Sequence, residues 1–158
     1  MIIIDGHNLL HSIVKVHKDY GPTSDIQLCW IVSRYMKAIG ENGEIVFDGT
    51  GPRDKSRFDN IANLEVFFAG LGSDADSVIE NKIKACTAPK RLTVVSSDRR
   101  LRDAARTRKA TAVKSEVFWD NLQKQLNQKK PVKEPEAKRS GLTESETRQW
   151  LEFFGIKQ

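Results

Sequence analysis

The chain has 158 residues, of which 39% are hydrophobic, and 26 Lys and Arg stand against 21 Asp and Glu for a formal net charge of +5. That length builds one domain with a proper core plus a tail and excludes two substantial domains. The basic surplus, with an isoelectric point near 9.3, is what a protein that handles polyanions carries. Cys29 and Cys86 lie far apart and outside any CxxC pattern, which argues against a zinc site or disulfide framework and for reduced core thiols. The N-terminus has no basic region and its apolar run stops at Asp5, so it reads as neither a signal peptide nor a membrane span, and a cytoplasmic location is expected.

The first predicted element is a buried strand, Ile2-Ile3-Ile4, that breaks off at Asp5-Gly6-His7-Asn8. In open α/β sheets the binding crevice lies outside the carboxyl ends of the strands, which makes Asp5 a candidate site residue. The competing reading is that Asp5 caps the next helix. A helix over Leu9 to His17 follows, with Leu9, Ile13 and Val16 at core spacing, and Gly21-Pro22 marks a turn. A second helix, capped by Thr23, Ser24 or Asp25 and running to Gly40, presents Ile26, Trp30, Ile31 and Tyr35 to the sheet.

The opening pattern then recurs. Glu44-Ile45-Val46-Phe47-Asp48-Gly49 and Leu92-Thr93-Val94-Val95-Ser96-Ser97-Asp98 are again apolar runs that end in aspartate. Parallel strands would bring these acids to one edge, where uncompensated like charges repel and raise each other's pKa. A bound cation removes that cost. The loop after Asp48 carries Arg53, Lys55 and Arg57; it fits equally a phosphate grip, through Arg forks, and a solvated loop. Leu64 to Ala69 is a further strand.

Ser73-Asp74-Ala75-Asp76-Ser77-Val78-Ile79-Glu80 opens a helix that buries Val78, Ile79, Ile83 and Cys86. Ser73 with Asp76 three residues later fits a capping box. Asp76 and Glu80 share a helix face at the end where the dipole favours carboxylates. With Asp74 added, the helix start is more acidic than capping requires, and the excess points to a site. His7 and His11 lie four apart but without an HExxH pattern, so a zinc role is not favoured.

Four blocks together, Ile3-Ile4-Asp5-Gly6-His7-Asn8, Val46-Phe47-Asp48, Ala75-Asp76-Ser77-Val78-Ile79-Glu80 and Val95-Ser96-Ser97-Asp98, resemble the NYN domains of the YacP-like group, a branch of the PIN-like nuclease superfamily. The resemblance spans roughly residues 1 to 125, about one ordinary domain. It implies a three-layer α/β fold, with a central, mostly parallel sheet flanked by helices, and a metal-dependent endoribonuclease, some relatives of which act on messenger RNA at the ribosome. Carried onto this chain, it makes Asp5, Asp76 and Asp98 the catalytic, metal-binding acids for Mg²⁺ or Mn²⁺, with Asp48 on the same edge and Asn8 and Ser97 in support. Asp74 and Glu80 join the supporting set because of the acid excess at the helix start. Two positions depart from the pattern. His7 stands where the family usually has Tyr, and Asp74 where a neutral residue is usual; Asp74 is then either a bystander or a substitute ligand.

After Asp98, Arg99, Arg102 and Arg106 fall at helical spacing along one face. Beside four acids this stripe reads as an RNA track, to which Arg53 and Arg57 would add. Ala110 to Val113 is a last strand, and Glu116 to Asn127 a helix with Val117, Phe118, Leu122 and Leu126 inward. The expected domain therefore covers residues 1–128. Residues 129–141, cationic and with two prolines, form a linker, and residues 142–158 a short amphipathic helix carrying Trp150, Leu151, Phe153 and Phe154, to dock on the domain, bind a protein partner or join copies. The chemistry expected is metal-assisted phosphodiester hydrolysis, with one or two ions. Two alternatives stand beside it: an RNA-binding module that does not cut, and a small metal-dependent phosphatase, which would want a second acid where His7 stands.

Overall fold

The computed structural model describes residues 1–16, 21–22 and 24–128. The linker and final helix expected beyond residue 128 lie outside the described residues. Five strands, β1 (Ile2–Asp5), β2 (Gly43–Phe47), β3 (Leu64–Phe68), β4 (Thr93–Val95) and β5 (Thr111–Val113), form one sheet in the order β3-β2-β1-β4-β5. Every pairing is parallel. Among the described residues five α-helices flank it: α1 (Gly6–Val16), α2 (Asp25–Ile39), α3 (Ala75–Ala85), α4 (Arg99–Thr107) and α5 (Ser115–Asn127). Among the described residues no helix is long and apolar enough to cross a membrane.

The sheet separates two cores. Side chains alternate between faces along a strand, so Ile2 and Ile4 enter one core, with residues of α1, α2 and α5, while Ile3 enters the other, with residues of α3 and α4. Ile4, Ile45 and Val95 in the first and Val46 and Val94 in the second are all fully buried. This two-sided burial explains why the strands read as unbroken apolar runs and not as alternation. It also fixes direction: Asp5, next after Ile4, has the parity of Ile3 and faces the α3/α4 side.

Chain order places the site. From β1 the chain steps outward to β2 and β3, then returns across the sheet to β4 and on to β5. The order reverses between β1 and β4, and beyond the carboxyl ends of those two strands lies the crevice where α/β sheets bind ligands.

Helix boundaries follow local chemistry. Ser24 caps α2 by accepting from the Gln27 amide, and Gly40, in the left-handed region at φ 71°, ends it. The capping box read into Ser73 and Asp76 is not formed. Asp74 is the N-cap of α3 and accepts from the Ser77 amide at 2.7 Å, because it stands one residue closer to the helix than Ser73 and brings a carboxylate to the amides. The expected core also needs correction. Val16 and Val117 are 58% and 48% exposed, since each falls just off its helix's inner face, and Trp119 takes an inward place on α5. Cys29 is buried and free, whereas Cys86 is free but only partly buried, at the end of α3.

α1 begins directly after β1, with no loop, and Gly6 permits this. A Cβ at position 6 would lie 2.4 Å from the ring of Phe47, a side chain with no exposure. Gly6→Ala should therefore cost about 1–3 kcal/mol through overpacking, seen as an earlier urea midpoint with an unchanged slope.

Candidate active site

Helices α1, α3 and α4 start at the carboxyl edge of the sheet, and each draws on an acid there for its first turn. Asp5 Oδ1 accepts from the Asn8 amide of α1 at 3.4 Å, Asp48 Oδ1 from the Ala75 amide of α3 at 2.7 Å, and Asp98 Oδ1 from the Arg100 amide of α4 at 2.9 Å. Capping and clustering, which the sequence poses as rival explanations of these acids, are thus both realised. The partial positive charge at each helix start lowers the cost of assembling carboxylates there.

It does not remove that cost. Asp5 is only 5% exposed, and burial, followed by the nearby charges of Asp48 and Asp98, pushes its carboxyl up to about 6 despite hydrogen bonds from Asn8 and Ser96. Asp76, in the first turn of α3 and with Asp74 doing the capping, is free to approach the crevice. It reaches hydrogen-bonding contact with Asp98, and partial burial, that contact and the charges of Asp98 and Asp5 raise its pKa as well. Asp5, Asp76 and Asp98 therefore feel one another. Among the described residues, however, no three His, Cys, Asp or Glu side chains converge tightly enough to form a closed cation cage.

The serine pair before Asp98 divides by parity. The fully buried Ser96 joins two acids: its Oγ donates to Asp5 Oδ2 at 3.3 Å and accepts from the Asp98 amide at 3.0 Å. Ser97 turns the other way. Its amide donates to Asn8 Oδ1 at 2.9 Å, its Oγ accepts from the Ser115 amide at 3.1 Å and donates to Glu116 Oε1, and Ser115 Oγ donates to Asn8 Oδ1 at 2.6 Å. The hydrogen bond from Ser97 leads the contributions that hold the Glu116 carboxyl below the usual range. Ser96, Ser115 and Glu116 were not singled out in the sequence. The only signal for Glu116 was an acid in a helix's first turn, which the dipole alone would justify.

The other candidates separate. Asp74 caps α3 and its carboxyl is lowered by the Ser77 hydrogen bonds. Glu80 takes both arms of Arg100, at 2.9 and 2.6 Å, a bidentate bridge from α3 to the start of α4. That bridge involves the arginine next to Arg99, which the expected stripe left out. His7 packs its ring at 5.0 Å from that of Phe47, accepts from the Asp48 amide through Nδ1 at 3.3 Å and approaches Asp25 Oδ2 with Nε2 at 3.4 Å. It is part of the wall beside Asp48. Arg99 and Arg106 are exposed and Arg102 partly so; Arg106 pairs with Asp103 at 3.6 Å, while Arg99 and Arg102 make no ion pair among the described residues. Arg53 lies exposed in its loop, and Arg57 sits 5.5 Å over the Trp30 ring.

The family model described as the YacP-like NYN domain matches residues 2–153. Among solved structures the chain is similar to the crystal structure of Rae1 (YacP) from Bacillus subtilis, at 17% identity and a TM-score of 0.72 over 97% of this chain and 93% of that one. It is also similar to a tryptophan-to-leucine mutant of the same protein, at 18% identity and a TM-score of 0.62 over 97% and 91%. At such identities the likeness speaks to the fold. No curated protein matches the chain. The match over nearly the whole length decides the family: this chain belongs to the YacP-like NYN domain family, with a fold of the PIN-like nuclease type.

Proposed function

We propose that the chain is a metal-dependent endoribonuclease that hydrolyses RNA phosphodiester bonds at Asp5, Asp76 and Asp98. The observation that carries this reading is the set of mutually repelling carboxylates at the order reversal of the sheet, with Asp5 raised to about 6 and Asp76 raised by burial and Asp98. Such a cluster is chemically suited to a hard divalent cation, which prefers oxygen donors. Mg²⁺ or Mn²⁺ held there would supply the Lewis acidity and the countercharge that phosphodiester hydrolysis needs.

The chain's own groups have distinct tasks in this reading. Ser96 orients the Asp5 carboxylate and the Asp98 backbone together. Asp48 holds the start of α3, and so Asp76, against the crevice. Arg99, Arg102 and Arg106 give an approaching strand a line of cations, and Arg53 and Arg57 a second point of contact. Messenger RNA on the ribosome is the substrate context that the family resemblance suggests. The phosphatase alternative lacks its second acid, because position 7 is a histidine engaged with Asp48 and Asp25.

End-labelled RNA with single-stranded and paired regions should be cut internally with Mg²⁺ or Mn²⁺ and not with EDTA. Asp76→Asn should lower the rate by more than about 100-fold, beyond the usual outer-shell effect, while melting no earlier than the wild type. RNA bound but uncut under every metal would replace the nuclease with a binding module, and phosphate release from a small phosphoester without RNA cleavage would favour the phosphatase.

The raised Asp5 carboxyl also links stability to pH. Its folded pKa lies above the ordinary 3.8, so the native state holds the proton more tightly than the unfolded chain. This group's contribution is fully present below about pH 4 and is lost as pH rises through about 6. In EDTA, Asp5→Asn should raise the unfolding free energy at pH 7 by up to about 3 kcal/mol, and the difference from the wild type should shrink toward pH 5. The cationic stripe gives a separate expectation. With Asp76→Asn as background, replacing Arg102 and Arg106 by Ala should reduce the slope of log binding constant against log salt by about 1.4 for single-stranded RNA, whatever its sequence.

A further inference from the structure

Asp98 reaches the cluster from the short turn between β4 and α4, so whatever holds that turn sets where the carboxylate stands. On the α3/α4 side Ser96 holds it to Asp5. On the opposite side Ser97 is fastened to two helices at once, with its amide on Asn8 of α1 and its hydroxyl between the Ser115 amide and the Glu116 carboxylate of α5.

We propose that Glu116 is a positioning residue: from the first turn of α5 its carboxylate holds the Ser97 hydroxyl, and through Ser97 the turn that carries Asp98. This deepens the nuclease reading and rests on it. Three features argue for the role over that of an ordinary first-turn acid. An acid that only answers the helix dipole has no need of a partner, but Glu116 Oε1 accepts from two hydroxyls, that of Ser97 and, at 3.4 Å, that of Ser12 on α1. Hydrogen bonds to a carboxylate are stronger than those between neutral groups. Secondly, the links close a ring: Ser97 to Glu116, the adjoining Ser115 to Asn8 Oδ1, and Asn8 Oδ1 back to the Ser97 amide. The ring joins α1, the β4–α4 turn and α5, and one of its members, Asn8, also donates its amide to Asp5. Thirdly, Glu116 is exposed and belongs to neither core, so its hold on the turn is separable from packing. Among the described residues it hydrogen-bonds to none of Asp5, Asp76 and Asp98, and therefore acts through Ser97.

The test compares the full chain with Glu116→Ala, Glu116→Gln, Ser97→Ala and the Ser97→Ala/Glu116→Ala double variant. Three measurements are made: the RNA cleavage rate, KM for RNA, and Mn²⁺ binding by titration of free Mn²⁺ in electron paramagnetic resonance. Glu116→Ala should lower kcat and weaken Mn²⁺ binding about 10- to 100-fold, the range for groups that orient metal ligands, with KM for RNA unchanged. Glu116→Gln keeps a carbonyl oxygen for Ser97 and should restore most of both. Ser97→Ala should match Glu116→Ala, and the double variant should be no worse than either, because the two act as one unit. Wild-type kcat and Mn²⁺ affinity in Glu116→Ala would overturn the proposal, as would effects that multiply in the double variant. Should Glu116→Ala fail to melt as a folded protein, Ser97→Ala against Glu116→Gln decides by the same criteria. If the wild type cuts no RNA under any metal, the nuclease reading falls alone, and the Mn²⁺ titrations still decide whether Glu116 sets the cluster.

Discussion

Carboxylates brought together out of water resist ionisation, and the fold has to supply whatever lets Asp5, Asp76 and Asp98 share a crevice. Part of the answer is geometric. Asp5 sits at the end of a strand buried on both sides and cannot move away from its neighbours without disturbing Ile3 and Ile4 in two cores. Another part is electrostatic, because the starts of α1, α3 and α4 turn their amides toward the same edge and are met there by Asp5, Asp48 and Asp98. What is left over appears as the raised proton affinity of Asp5 and Asp76, a residual that protons or a cation relieve.

The other polar contacts divide into those that brace this cluster and those that keep cations organised around it. Ser96 binds Asp5 to the Asp98 turn from one side, and the Asn8, Ser97, Ser115 and Glu116 ring binds the same turn from the other. Arg100 is close enough for its charge to act on Asp76, but Glu80 takes hydrogen bonds from its Nε and Nη2, so it ties α3 to α4. Lys82 is likewise engaged, with Glu44 at 2.8 Å and over the Phe67 ring at 3.6 Å. Arg99 and Arg102, free of ion pairs among the described residues, retain their charge for a polyanion.

Much of the architecture was legible in the residues. Apolar runs closed by Asp5, Asp48 and Asp98 mark three strand ends, one of Thr23, Ser24 and Asp25 together with Gly40 bounds α2, and the acid excess at residues 74 to 80 points to the start of α3. These signals are local: strand length, cap chemistry and the period of burial act over a few residues and leave their trace in order along the chain. Errors arose where one residue's shift decides the outcome. Ser73 and Asp74 are both good caps, and only the helix's true start chose Asp74 and released Asp76. Val16 and Val117 sit close to an apolar stripe, and only the packing of α1 and α5 turned them outward.

The site's bracing was legible to a much smaller degree, for a reason that is general. Ser12 and Glu116 stand 104 positions apart and Asn8 and Ser115 are 107 apart, and no local rule relates them. Short-range chemistry determined which segments become strands and helices and left acids at their ends. Which of those ends meet, which of two adjacent serines faces an acid, and which first-turn glutamate finds a hydroxyl were decided by strand order and side-chain parity, since these exist only once the sheet has closed around β1.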